Sequence, residues 1–123
     1  MNENKESISK IKAKIAYLMT RRRSCEKYLL ARHKMINASF VQMRTLAGGR
    51  VRKTPAYYLS AKKAGVTKLK YIKKDDIDMV RRRTLSWKYY SLNLSEYVKI
   101  SKEIEELFRK IGVLSLEIPD RYK

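Results

Sequence analysis

A basic stretch between Gly48 and Lys74 holds nine Lys or Arg residues and not one Asp or Glu. A cation placed on a phosphate releases a condensed counterion, so this residue type in this density suits a polyphosphate ligand. Like charges without compensating acids repel one another, and packing alone does not explain the stretch. Clustered Lys and Arg are typical of nucleic-acid binding. The predicted phosphate contacts here are Arg50, Arg52, Lys53, Lys62, Lys63, Lys68, Lys70, Lys73 and Lys74.

Two arginine triplets, residues 21–23 and 81–83, flank the basic stretch in sequence. Arginine is favoured where a forked cation recognises phosphate, although a run of charges is also typical of a solvated helix face. Three consecutive helical residues span about 200° of arc, so one or two of each triplet can face a single surface. The predicted phosphate contacts therefore include Arg21, Arg22, Arg81 and Arg82.

Three tyrosines, Tyr57, Tyr58 and Tyr71, lie among these cations. Aromatic rings between Lys and Arg are the groups on which unpaired bases stack. The same rings would equally cover one face of a small sheet against a helix, and the sequence leaves the two interpretations evenly balanced. Adjacent strand residues point to opposite faces, so at most one of Tyr57 and Tyr58 is a core residue. We include all three tyrosines in the predicted interface.

Residue types with catalytic chemistry are sparse. The single histidine, His33, lies between two cations and is typical of a basic helix surface. Asp75, Asp76 and Asp78 together suit either a magnesium site or, more simply, the positive end of a helix dipole. Gly48-Gly49 lacks the longer pattern of a phosphate loop. We predict that the protein is not an enzyme and that it holds neither a metal nor a cofactor.

Composition bounds the class of protein. The chain has 123 residues, which indicates a single domain over 1–123. Its net charge of +18 exceeds the magnitude of about 2 to 8 that solubility needs. The apolar content of 44 % excludes a disordered basic tail. One cysteine, Cys25, excludes an internal disulfide and a cysteine-based zinc site. No membrane span or secretory leader is visible, so we expect a cytoplasmic protein without a membrane partner.

Two long helices are predicted from apolar spacing. Residues 5–46 contain neither Gly nor Pro, and their apolar positions follow a seven-residue repeat interrupted by Arg22 and Arg32. The apolar positions are Ile8, Ile11, Ile15, Leu18, Cys25, Leu29 and Ile36. The second helix is predicted over 76–111, with Gly112 as its end and 112–123 as a tail. Its expected apolar series is Ile77, Val80, Trp87, Leu94, Val98, Ile104, Phe108 and Ile111.

A β-hairpin is predicted over residues 56–72, with Ala64-Gly65 as a tight turn in which Gly65 adopts positive φ. Alternation places Tyr58, Thr67, Leu69 and Tyr71 on one face. The predicted fold is therefore mainly α: two long antiparallel helices, coiled-coil-like, joined by a small basic β-hairpin.

The segment from Pro55 to Asp75 resembles a family of small, basic, uncharacterised prokaryotic proteins. It combines Pro55-Ala56-Tyr57-Tyr58, then Gly65-Val66-Thr67-Lys68, then Tyr71-Ile72-Lys73-Lys74-Asp75, followed by a long helix. The resemblance covers residues 55 to about 110. Lys73 stands where the family commonly has proline, and its cysteine cluster before the Pro-Tyr-Tyr strand is missing, so no zinc role follows. The resemblance implies a link to mobile genetic elements.

These observations predict a non-catalytic, nucleic-acid-binding accessory protein that grips the phosphate backbone of DNA or RNA through the hairpin and adjoining helix ends. It would be a subunit of a recombinase, transposase or reverse-transcriptase complex of a mobile element. The alternative is a coiled-coil adaptor whose basic surface docks an acidic protein or a ribonucleoprotein. In both cases we expect a protein partner, or a second copy, on the helices.

Overall fold

A computed structural model describes residues 2–44, 46–47, 50–51 and 54–123. The helices are α1 (Asn2–Leu30) and α2 (Ile77–Leu114), and the strands are β1 (Ser39–Met43), β2 (Leu46–Ala47), β3 (Arg50–Val51), β4 (Ala56–Lys63) and β5 (Val66–Tyr71). The chain divides into two compact units. We call the residues up to Ala31 together with Leu92–Lys123 the helical unit, and Arg32–Ser91 the sheet unit; α2 contributes to both. The protein is mainly helical, as predicted.

The core of the helical unit lies between α1 and the C-terminal half of α2. Its buried residues are spaced three and seven positions apart on α1 and four and three apart on α2, as a seven-residue repeat requires. Cys25 is buried among them as a free thiol. The buried set is Ile15, Leu18 and Cys25 from α1, and Ile100, Ile104 and Leu107 from α2.

Two ion pairs show in which direction the two helices run relative to each other. The Lys14 ammonium lies 3.4 Å from the Glu103 carboxylate, and the Arg21 guanidinium lies 2.5 Å from Glu96. Seven residues forward on α1 correspond to seven residues backward on α2, so the two helices run antiparallel at these contacts. The interlocking of side chains that defines a coiled coil stays a prediction.

The first helix is shorter than predicted. It ends at Leu30 instead of continuing to residue 46, and Ser39–Met43 forms a strand. Absence of Gly and Pro permits a helix without requiring one; Asn37 and Ser39 favour non-helical backbone, and Phe40 and Val41 suit a strand. Pairing of β1 with β4 decides the outcome, because a lone two-stranded hairpin is marginal in water.

The main sheet has three antiparallel strands in the order β1-β4-β5. The register pairs Tyr58 with both Val41 and Tyr71, which confirms the predicted face of Tyr58, Thr67, Leu69 and Tyr71. We call this the outer face. The inner face carries Phe40 and Tyr57 and meets the N-terminal half of α2. A second small sheet pairs β2 with β3.

The turn between β4 and β5 has φ of +52° at Ala64 and +78° at Gly65. Positive φ at both central residues is typical of a type I′ hairpin turn, whose twist matches that of the strands. The prediction for Gly65 is confirmed. Ala64 adopts the same left-handed backbone despite its Cβ, at a cost of about 1 kcal/mol.

The second helix continues beyond its predicted end. Gly112 lies inside α2 and does not adopt positive φ. Leu94, Val98 and Phe108, three members of the expected apolar series, are 45 %, 44 % and 52 % exposed. The buried strip passes through Ile104, which belongs to that series, and through Ile100 and Leu107, which do not. It lies about 100° around the helix from the three exposed residues. Neither described helix is long and apolar enough to cross a bilayer.

Candidate nucleic-acid interface

The β4–β5 hairpin extends past the rest of the sheet. Strand β1 pairs with β4 only from Ala56 to Ser60, whereas β4 and β5 remain paired out to Lys63 and Val66. Residues 61–68 therefore form a two-stranded extension, which we call the ribbon tip. It carries three exposed lysines, Lys62, Lys63 and Lys68.

Strand β5 is exposed along its whole length, all six residues from Val66 to Tyr71. It stands at the end of the strand order, so among the described residues it has a neighbouring strand on one side only. Lys68 and Lys70 lie opposite Ala61 and Leu59 and share their face. The predicted cations of this strand are therefore accessible, as a phosphate contact requires.

The pleat separates the tyrosines from most of these lysines. Tyr58 and Tyr71 are on the outer face, their rings edge to face with centroids 5.7 Å apart. Lys68 and Lys70 alternate with Tyr71 along β5 and point to the other face. The tyrosine and the lysines that alternate in the sequence of β5 therefore lie on opposite faces of the strand. The Tyr71 residue is 64 % exposed, which leaves its ring open to a stacking partner.

Tyr57 has a different environment. Its ring stacks on Phe40 at 5.1 Å, and the guanidinium of Arg81 lies over both rings, 5.0 Å from the Phe40 centroid and 5.7 Å from that of Tyr57. Cation–π contacts of this length are stabilising. Tyr57 and Arg81, both predicted as nucleic-acid contacts, therefore join the inner face of the sheet to α2.

The second arginine triplet divides between two surfaces, as helical geometry requires. Arg81 faces the sheet, whereas Arg82 and Arg83 line an open groove of about 410 Å³ on another side of α2. Across the groove lie Arg32, His33 and Lys34, from the segment that follows α1. We call it the arginine groove.

The sequence reasoning missed Arg32, Lys34 and Arg83 as parts of one site. It placed residues 32–34 within the first helix, where they would point in different directions. In the structure the helix has already ended, and the Ile36 N–H donates a hydrogen bond to the Arg83 carbonyl (3.0 Å). The basic run ahead of the strand-like residues 39–43 was the signal that a second packed element begins there.

Arg21 and Arg22 belong to the helical unit, and both have acidic neighbours. Arg21 pairs with Glu96 across the helices, and the Arg22 Nε lies 3.7 Å from Glu26 one turn along α1. Part of their charge is therefore compensated within the protein. Their assignment as phosphate contacts stays a prediction and has less support than that of the ribbon.

The remaining predicted contacts are Lys73, Lys74, Arg50, Arg52 and Lys53. Lys73 and Lys74 are exposed between β5 and α2, where the Asp76 N–H donates to the Lys73 carbonyl at 2.9 Å. Arg50 belongs to β3, and its side chain is not described. Arg52 and Lys53 lie outside the described residues.

The sheet unit differs from the helical unit in its net charge and in its ion pairs. Residues 32–91 hold sixteen Lys or Arg against three Asp, a net charge of +13. No ion pair forms within this unit among the described residues, and all five described pairs belong to the helical unit. The sheet unit therefore presents a positive field that its own side chains do not neutralise.

Across the described parts of the chain, no group of three or more His, Cys, Asp or Glu side chains is placed to hold a metal ion. Comparison of the sequence with models of known families and with curated proteins, and of the fold with solved structures, finds no match. The resemblance described for residues 55–110 stays a prediction. Function must therefore be argued from the geometry and charge of the sheet unit.

Proposed function

We propose that the sheet unit binds nucleic acid through the β4–β5 hairpin, without catalysing a reaction. One observation carries the proposal: a projecting two-stranded ribbon with exposed lysines belongs to a unit of net charge +13 that contains no described ion pair. Releasing counterions from a phosphate backbone is the free-energy gain available to such a surface.

The shape of the ribbon tip suggests how contact is made. A two-stranded β-ribbon is narrow enough to enter the major groove of a duplex. Lys62 and Lys63 are successive strand residues and point to opposite faces, so a ribbon in a groove would offer a cation to each flanking backbone. On a single strand, the exposed ring of Tyr71 would instead stack on an unpaired base.

The test is fluorescence anisotropy with labelled duplex DNA, single-stranded DNA and structured RNA, in a salt series from about 50 to 200 mM. The test variant is Lys62→Glu/Lys63→Glu/Lys68→Glu. The control, Lys99→Glu/Lys102→Glu/Lys110→Glu, makes the same change in net charge at exposed positions of the helical unit.

The ribbon variant should lose more than about tenfold in affinity, with the salt slope reduced by about 2 to 3, since each lost duplex phosphate contact contributes about 0.9. The control should keep the wild-type slope. Equal losses in both variants would show that net charge matters and the ribbon does not. Weak binding of the wild-type protein to all three nucleic acids would favour the adaptor that docks an acidic protein.

A second candidate function, self-association, has its own supporting observation. Leu94, Val98 and Phe108 form an exposed apolar strip beside the core of the helical unit. Residues 92–118 hold four Lys or Arg and five Asp or Glu, so a second copy of this strongly basic chain meets no net repulsion there. We propose that two copies associate along this strip and complete a coiled-coil-like bundle of helices.

Light scattering after gel filtration tests this association. Val98→Asp should shift the protein from dimer to monomer. Leu85→Asp should not, although Leu85 lies on the same helix and is similarly exposed, 41 % against 44 %. A monomeric wild-type protein at micromolar concentration would overturn the proposal.

A further inference from the structure

We infer that the arginine groove is a second phosphate-binding site, separate from the ribbon. The inference rests on the proposed function for the origin of the phosphate, nucleic acid, but the groove can be tested without it. Its lining brings together four cationic side chains from two parts of the chain: Arg32, Lys34, Arg82 and Arg83.

The four cations have no carboxylate partner among the described residues. Asp78 is one helical turn before Arg82, the closest acid in sequence, yet it makes no ion pair within 4.0 Å. Holding like charges around one groove costs free energy unless an anion occupies it. Arginine binds phosphate with two parallel hydrogen bonds, and the groove offers three guanidinium groups.

The groove is also held open by packing. The Ile36 N–H···O=C Arg83 hydrogen bond anchors the segment that carries Arg32 and Lys34. The His33 ring meets Tyr90 edge-on, with centroids 6.4 Å apart. Met79 and Ser86 line the same groove from α2, and the Ser86 hydroxyl is a neutral donor suited to a phosphate oxygen.

Two sources would supply the same chemistry. One is an internal phosphodiester, which carries a single negative charge. The other is a terminal phosphomonoester, which carries about −1.5 to −2 at neutral pH. Four cations around one groove favour the more highly charged group, so we expect a 5′-phosphorylated end to bind more tightly than a 5′-hydroxyl end.

The direct test follows backbone amide and arginine Nε–H signals by NMR while inorganic pyrophosphate is added. In wild-type protein the Ile36 amide and the Arg82 and Arg83 side chains should shift together and saturate. Arg82→Gln/Arg83→Gln should weaken this binding at least about tenfold, since it removes two charge-assisted contacts. Lys99→Gln/Lys102→Gln, on the same helix in the helical unit, is the control.

Arg32→Gln/Lys34→Gln provides a second route, because it leaves α2 unchanged and tests the other wall of the groove. Either groove variant should lower pyrophosphate affinity while the ribbon variant keeps it. Shifts confined to ribbon residues, or equal affinity in wild type and both groove variants, would overturn the inference.

Oligonucleotides then separate the two phosphate sources. A groove variant that loses only the preference for a 5′-phosphate assigns the groove to strand ends. One that loses affinity equally for phosphorylated and unphosphorylated strands assigns it to internal phosphates. If the ribbon variant binds nucleic acid as tightly as wild type while pyrophosphate still binds the groove, the proposed function is refuted and the groove site is retained. If pyrophosphate does not bind the groove while duplex binding still depends on the ribbon, the groove site is refuted and the proposed function is retained.

Discussion

The helical unit and the sheet unit differ in how far acidic side chains balance their basic ones. The helical unit has fourteen Lys or Arg against nine Asp or Glu, and its described ion pairs link side chains within and between its helices. The sheet unit has sixteen against three and no described pair. Its three acids, Asp75, Asp76 and Asp78, all lie where α2 begins. One chain thus combines a part that balances its own charge with a part that needs an anion from outside.

The largest effect should come from the core of the helical unit. Leu18→Ala removes a side chain that is 2 % exposed and should lower the free energy of unfolding by about 2 to 5 kcal/mol. Leu92→Ala, in the same unit at a residue 55 % exposed, should change it by less than about 0.5 kcal/mol. Urea unfolding followed by circular dichroism measures both. Similar losses would show that the unit does not depend on this core.

The turn of the sheet unit offers a stabilising change. Ala64 has φ of +52°, and Asn-Gly is the preferred pair for a type I′ turn. Ala64→Asn should therefore raise the free energy of unfolding by up to about 1 kcal/mol. Thermal melts compare it with Ala13→Asn, an exposed alanine of α1, where asparagine should destabilise the helix. A lower melting temperature for Ala64→Asn would contradict the strain assigned to this turn.

A double-mutant cycle can measure the coupling free energy of an ion pair in the helical unit. Arg21→Gln, Glu96→Gln and the double variant isolate the Arg21–Glu96 pair. Both side chains are partly exposed, so a coupling of about 0.2 to 1 kcal/mol is expected, decreasing as salt is added. A coupling indistinguishable from zero at low salt would mean that the helical unit gains nothing from this pair.

The smallest effect concerns the uncompensated charges. Lys70→Glu introduces an acid into the positive field of the sheet unit and should raise the free energy of unfolding, measured by thermal melts, by a few tenths of a kcal/mol. Glu96→Gln should act in the opposite direction. Lys70→Glu should also lower the affinity for nucleic acid relative to the wild-type protein. A loss of stability on charge reversal would show that Lys70 contributes to folding rather than to a ligand.

Local patterns in the sequence predicted much of this fold. Alternation gave the faces of β4 and β5 because side chains in a strand have a strict period of two. The seven-residue repeat of α1 identified Ile15, Leu18 and Cys25 as one buried strip. Both signals are carried by residues close together in the chain, and no distant partner is needed to interpret them.

What could not be predicted depends on distant contacts. The end of α1 is decided by β1 pairing with β4, whose partner residues lie 13 to 21 positions later in the chain. On α2, two apolar strips lie about 100° apart, and only packing against α1 selects the one through Ile104. The arginine groove has the same origin, since Arg32 and Arg83 meet only because the chain turns back after Leu30.

The exposed edge of β5 should affect the solubility of the protein when a polyanion is bound. Among the described residues its outer side has no partner strand, and lysines on such an edge keep two molecules from joining their sheets. A bound polyanion would cancel that repulsion. Complexes near charge neutrality should therefore precipitate or condense, while excess of either component should redissolve them, and purification should begin at high salt to remove bound polyanions.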